Sequence, residues 1–247
     1  MKTYIINVRY GGLGDHLFFS PIPRLLKEKY DHKCRVFLST EPNFRHWQTY
    51  ELVWAKNPYL DGVIDPLTFQ FEPLAKLETS TQVMKDILKQ YSIDFEEEPK
   101  PEIYWGIDKR KDLPKFVVDL NFSSFTGLLL SDLITISEMF DKKFVFVNPS
   151  STLKKFISPV QCFQTKSLFD YASLIYSSEE FFCLTSGGAT LAAALGVRAK
   201  VFAVQEYPEY FKHSINYYID VGRKGYLRSA VYRYLWSKNL KFRVSFP

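Results

Sequence analysis

Tyr4-Ile5-Ile6-Asn7-Val8-Arg9-Tyr10-Gly11-Gly12-Leu13-Gly14-Asp15 carries the chain from a β-branched apolar run into a glycine turn. Residues 4–8 have the composition of a buried strand. Beyond the turn, Leu17, Phe18, Ile22, Leu25, Leu26 and Tyr30 recur near helical spacing. Pro21 and Pro23 interrupt that stretch, so a helix there either starts near them or kinks, because proline lacks the N–H an inner turn requires. Residues 34–38 read as a second strand. Strand, glycine turn, helix and strand make a βαβ unit, which predicts a parallel sheet.

Working outward, residues 47–54, 62–64 and 84–91 read as helix, strand and helix, and the Pro- and Glu-rich 96–101 as surface. Asp108-Lys109-Arg110-Lys111-Asp112-Leu113-Pro114 is nearly all polar; it reads as a linker between domains or as a charged loop within one. The α/β pattern then restarts. Residues 116–120, 144–147 and 181–184 are strand-like, 131–140 and 167–176 helix-like, and a further strand lies within 197–204. A small-residue helix at 189–195 ends at Gly196, a natural residue for the position after a helix. The expectation is an α/β protein of two Rossmann-like, doubly wound parallel-sheet domains, residues 1–113 and 114–247, facing a cleft at the carboxyl ends of their strands.

Composition narrows the class. The 247 residues are 46% hydrophobic and 24% charged, which excludes disorder, collagen and coiled coil as the main architecture. A formal charge of +5 is too weak to argue for nucleic acid. Cys34, Cys162 and Cys183 are odd in number and far apart, so neither a zinc ribbon nor a disulfide framework is indicated, and a reducing compartment is the default. No secretory h-region opens the chain, and its most apolar run, 126–136, is broken by Asp132. A cytoplasmic setting is expected. After Asp220 the chain carries no acidic residue; seven basic ones from Arg223 to Arg243 interleave with Tyr226, Tyr232, Tyr234 and Trp236. Such a tail fits an anionic membrane surface, or a C-terminal helix with a solvated basic face.

Two turns carry the candidate chemistry. In the first, backbone N–H groups at Gly12 and Gly14 could hold an anion, or form a tight turn with no ligand. The dinucleotide pattern would need glycine at position 17, where Leu17 stands, so a nicotinamide or flavin enzyme is disfavoured; a P-loop is absent too. Asp15 follows as a general base or as a helix cap. The second turn, Thr185-Ser186-Gly187-Gly188 with Thr190 one turn on, offers hydroxyls and close backbone approach to a phosphate, or simply caps its helix. One such turn per half points to a single nucleotide-diphosphate cleft.

Residues 9–30, with their Gly-Asp turn, proline-containing helix and Leu-Lys close, resemble the opening of glycosyltransferase family 9, the two-domain GT-B heptosyltransferases. Asn57-Pro58-Tyr59-Leu60-Asp61-Gly62-Val63-Ile64 resembles that family's Asn-Pro-Tyr-aspartate segment. Residues 167–175 and 185–196 resemble the family's helix and the Asp-Ser-Gly-Pro-Met-His-Leu-Ala-Ala-Ala-Leu-Gly signature that follows it, so the resemblance runs over roughly residues 4–204. It implies metal-independent, inverting sugar transfer from a nucleotide-diphosphate sugar such as ADP-heptose to a saccharide or glycolipid acceptor of a bacterial surface glycan, with no other cofactor. By position, Asp15 would be the base; Ser186, Gly187 and Gly188, with Ser123, Ser124, Thr185 and Thr190, would face the donor; Arg9, Gly12 and Gly14 would lie near acceptor or phosphate. The implied setting is the cytoplasm, at the inner face of a membrane. Thr185, Gly188 and Thr190 stand where the signature has Asp, Pro and His, and residues 121–130 lack the family's lysine. These departures concern the donor and leave a second reading open, a catalytically silent nucleotide-sugar-binding protein of the same fold.

Overall fold

The computed structural model describes residues 1–8, 11–65, 83–94, 99–121, 128–204 and 212–221. Arg9, Ser123, Ser124 and the basic tail lie outside the described residues. The first sheet comprises β1 (Lys2–Ile6), β2 (Cys34–Ser39) and β3 (Gly62–Ile64), in the order β1-β2-β3. Both pairings are parallel, with Tyr4 opposite Val36 and Leu38 opposite Val63. The βαβ reading of the opening segment therefore holds, although β1 begins two residues earlier than its apolar run.

Between β1 and β2 the chain forms two helices, α1 (Leu13–Phe19) and α2 (Ile22–Lys29). The prolines explain the break. Pro21 caps α2 and Pro23 sits in its first turn, where backbone N–H groups have no intrahelical partner to lose. At the junction, the Ser20 hydroxyl donates to the Leu17 carbonyl and accepts from Glu102 N–H, at 2.7 Å each. Farther along α2, Lys27 is nearly buried and pairs with Asp61 at 2.7 Å, while Asp61 also accepts from Val36 N–H at 2.6 Å. Burial pushes the Asp61 carboxyl up, but these partners outweigh it and hold it below the usual range. The aspartate of the 57–61 segment thus joins α2, β2 and the loop before β3. Two short helices, α3 (Gln48–Val53) and α4 (Val83–Gln90), complete the described first half.

The second sheet has six parallel strands: β4 (Phe116–Asp119), β5 (Val145–Val147), β6 (Cys162–Phe163), β7 (Glu180–Leu184), β8 (Lys200–Ala203) and β9 (Tyr217–Asp220). Their order, β6-β5-β4-β7-β8-β9, is the doubly wound order 3-2-1-4-5-6. Three helices connect strands: α5 (Leu130–Glu138) after β4, α6 (Leu168–Ser177) after β6 and α7 (Gly187–Ala194) after β7. The α7 helix starts two residues before its apolar stretch, because Ser186 caps it by accepting from Gly188 N–H. It ends in a Schellman motif: Gly196 adopts φ +70°, its N–H reaches Ala193 O at 3.1 Å, and Val197 N–H reaches Ala192 O at 2.9 Å.

One apolar cluster runs through both sheets, uniting Ile6, Leu17 and Trp54 with Val117, Phe181 and Val201. A second cluster, around Val118, Phe146, Leu184 and Phe202, fills the outer face of the larger sheet. The polar 108–114 stretch forms neither helix nor strand and lies against α6, where Arg110 N–H donates to the Ser177 hydroxyl at 2.8 Å. Among the described residues no helix is long and apolar enough to cross a membrane.

Candidate functional site

The six-stranded sheet reverses its winding between β4 and β7, and crevices outside the carboxyl ends of strands form at such a switch point. A cleft of about 480 Å³ opens there. Its floor and far wall come from the second half: Asp119 at the end of β4 and Asn121 just after it, Asn148 after β5, residues 165–167 between β6 and α6, Leu168 and Tyr171 on α6, and Ser186, Gly187 and Gly188 at the start of α7. The first half contributes Leu13 and His46.

Asp119 occupies the floor, 5% exposed. Its carboxylate accepts the Tyr171 hydroxyl on one oxygen, and Asn121 N–H at 2.8 Å and Asn121 Nδ2 at 2.7 Å on the other. Burial pushes the carboxyl above the ordinary aspartate value, against the opposing pull of those donors. The Tyr171 hydroxyl is raised well above its usual value by the same burial and by the neighbouring carboxylate. Gly188 is required above this pair, because a Cβ there would overlap the Tyr171 hydroxyl and approach Asp119 Oδ2 to 3.3 Å. Asn148, in the left-handed region at φ +48°, fastens the neighbouring wall. Its Oδ1 accepts from Gln164 Nε2 and Thr165 N–H, and its Nδ2 donates to the Thr165 hydroxyl.

The two glycine turns meet. A Cβ on Gly187 would lie 3.1 Å from Gly14 N and 3.2 Å from Leu13 Cβ, so α1 and α7 touch through bare backbone. Ser186, Gly187 and Gly188 line the cleft, and Gly14 braces them from behind. Asp15, next to that contact, is mostly buried and is not among the residues lining the cleft; the N-cap of α1 is Gly12, and Asp15, third residue of the helix, reaches back to accept Gly12 N–H at 2.9 Å rather than standing at the cap itself. Burial raises its carboxyl above the ordinary aspartate value, opposed by the Gly12 N–H and the Arg45 charge.

The two threonines are placed apart from the cleft lining. Thr190 is buried between the halves, hydrogen-bonded to His213 Nε2 at 3.2 Å, with His213 stacked on Phe18. Burial lowers the His213 imidazole to about 4. The Thr185 hydroxyl is buried and finds no hydrogen-bond partner among the described residues. His16, directly after Asp15, is fully buried. Its Nε2 donates to Asn43 O at 3.0 Å, Trp54 Nε1 donates to its Nδ1 at 3.1 Å, and burial lowers it to about 4. It is a structural histidine that anchors the 40–46 loop, and with it His46, beside the glycine turn.

Reading the sequence missed Asp119, Asn121, Asn148, Tyr171, Lys166 and His46. Asp119 alone carried a signal, as a lone carboxylate closing an apolar strand. Its partner Tyr171 lies 52 positions away, and nothing in the local pattern ties the two together.

No family model and no curated protein sequence matches the chain. Solved structures do. The glycosyl transferase family 9 structure from Veillonella parvula superposes with a TM-score of 0.64 at 10% identity, over 98% of this chain and 90% of that one. The E. coli ADP-heptose LPS heptosyltransferase II gives 0.57 at 9% identity, over 97% and 100%. The E. coli heptosyltransferase WaaC, solved with ADP, gives 0.52 at 11% identity, over 96% and 99%. The chain has the GT-B fold of these family 9 glycosyltransferase and heptosyltransferase structures, with its cleft at the switch point of the larger sheet.

Proposed function

We propose that this chain is a glycosyltransferase that moves a sugar, heptose or similar, from a nucleotide-diphosphate sugar to a saccharide or glycolipid acceptor of a bacterial surface glycan. The observation that carries this reading is the Ser186-Gly187-Gly188 turn. It opens the start of α7 onto a cleft at the sheet's switch point, in a fold shared with a heptosyltransferase solved with ADP. Backbone N–H groups and the positive end of a helix dipole suit a diphosphate, and they stabilise the charge that grows on it as the sugar leaves.

In the proposed reaction Asp15 takes the acceptor hydroxyl proton. The acceptor oxygen bonds to the anomeric carbon from the face opposite the diphosphate, the carbon–oxygen bond to the diphosphate breaks, and configuration inverts. Two features favour Asp15: it stands behind the cleft lining, one residue from the Gly14–Gly187 contact, and its burial makes it a stronger base than an exposed aspartate. The scheme assigns no step to a metal.

Replacing Asp15 by Asn keeps an acceptor for the Gly12 N–H, so the cap survives while the base is lost. The expected outcome is a fall of roughly 10²- to 10⁴-fold in nucleotide release from ADP-heptose in the presence of a bacterial glycolipid acceptor, with ADP binding unchanged. Undiminished transfer by the variant rules out Asp15 as the base. A wild-type chain that binds donor tightly and never turns it over favours the silent binding protein instead, a reading that the capping bond of Asp15 makes concrete.

The setting we propose is the cytoplasmic face of a membrane, with the basic aromatic tail at 223–243 on anionic lipid. Co-sedimentation with phosphatidylglycerol-containing liposomes is expected for the full chain and reduced for a chain ending at Gly222. Equal binding by the two rejects the tail as the anchor.

A further inference from the structure

The cleft is walled by both halves, and one hydrogen bond joins its two rims. The side chain of Gln48, first residue of α3, accepts from Leu168 N–H, first residue of α6, at 2.7 Å. Two residues before each of these stand His46 and Lys166, and both line the cleft. The His46 ring accepts Gln48 N–H on Nδ1 at 3.2 Å, which leaves Nε2 to carry a ring proton as a donor. Lys166 is exposed, and its ammonium has no hydrogen-bond or ion-pair partner among the described residues. The charges that could occupy it are already engaged. Asp119 is held by Tyr171 and Asn121, while Asp170 accepts Lys166 N–H at 3.3 Å and faces Arg110 across 3.3 Å. A diphosphate entering this cleft meets the α7 N–H groups on one side and requires a cation to balance its charge. Among the described residues lining the cleft, Lys166 is the one lysine or arginine.

We propose that Lys166 and His46 grip the diphosphate from opposite halves, Lys166 as its counter-charge and His46 Nε2–H as a hydrogen-bond donor, with the Gln48–Leu168 bond setting the gap between them. The proposal rests on the donor reading above and deepens it by naming residues that determine diphosphate binding. A diphosphate held this way ties the two halves together through charge on one rim and a directed hydrogen bond on the other.

The test measures binding of inorganic pyrophosphate and of ADP by titration calorimetry, at low and at moderate salt, to the full chain and four variants. Lys166→Ala is expected to weaken both ligands about tenfold and to flatten the salt dependence, because a charge-assisted contact is screened by salt and a packing effect is not. Lys166→Arg is expected to restore most of the affinity, His46→Ala to weaken binding several-fold without changing the salt dependence, and Lys155→Ala, away from the cleft, to change nothing. Wild-type affinity in Lys166→Ala overturns the grip and leaves the donor reading standing. Binding of pyrophosphate but of no nucleoside diphosphate, with the Lys166 effect intact, supports the grip and removes the donor reading. A wild-type chain that binds neither ligand overturns the grip.

Discussion

Asp15 shows how one carboxylate holds two roles. As the third residue of α1 it accepts Gly12 N–H, one of the helix's unpaired donors. As a mostly buried acid its value is raised, with Gly12 and Arg45 pulling the other way. The sign of the consequence follows directly. A base must be ionised to accept a proton, so transfer falls as pH drops through the Asp15 value. The acid limb of kcat/KM is therefore expected above the ordinary aspartate value near 3.9. The residual activity of Asp15→Asn is expected to lose that limb, and an unchanged acid limb in the variant assigns the titration to another group. Asp119 carries a raised value too, but it is sealed by three donors on the cleft floor, which suits a fixed scaffold rather than a proton carrier. The alternatives open at Asp15 in the sequence, cap or base, are thus compatible, because capping engages one oxygen only.

At the scale of elements, the contact between α1 and α7 decides how the cleft is built. Helices approach this closely only where side chains are missing from both surfaces, and Gly14 and Gly187 supply that on either side. Gly187→Ala would place a methyl 3.1 Å from Gly14 N and 3.2 Å from Leu13 Cβ. Backbone on the facing helix yields less readily than a flexible side chain. The variant is expected to lose about 1–3 kcal/mol by denaturant unfolding, although alanine favours helix over glycine. A variant as stable as the wild type shows that α1 moves aside at no cost. The prolines act on the same scale. Pro21 at the cap and Pro23 in the first turn of α2 divide one apolar stretch into two helices, and the Ser20 hydroxyl at the break accepts Glu102 N–H.

Over the whole molecule, a continuous apolar cluster links the sheet at residues 2–64 to the sheet at residues 116–220. A core shared in this way couples the unfolding of both halves. Calorimetry is expected to show one transition with matching calorimetric and van't Hoff enthalpies, and two resolved transitions reject the coupling. Much of the architecture was legible in the chain itself. The period of its apolar residues, the prolines near 21 and the glycines at 11–14, 187–188 and 196 dictate parallel α/β units with helices opening at glycine turns, because these are local effects of φ, ψ and side-chain pattern. The two-residue β6 and the edge strand β9 escaped that reading: β6 is too short to carry a pattern, and β9, exposed at both ends and only half-buried between, lacks the apolar run that marks β4 and β8. The site divides the same way. Ser186, Gly187 and Gly188 were readable as a turn, while the Asp119–Tyr171 pair, the burial of Thr190 against His213 and the placing of His46 and Lys166 in one cleft each involve positions far apart in the chain. The chain alone determined the elements and the turns between them. Only tertiary structure decided which turns abut, which hydroxyls face the cleft and which carboxylates are sealed, because those follow from packing between distant segments that no local pattern encodes.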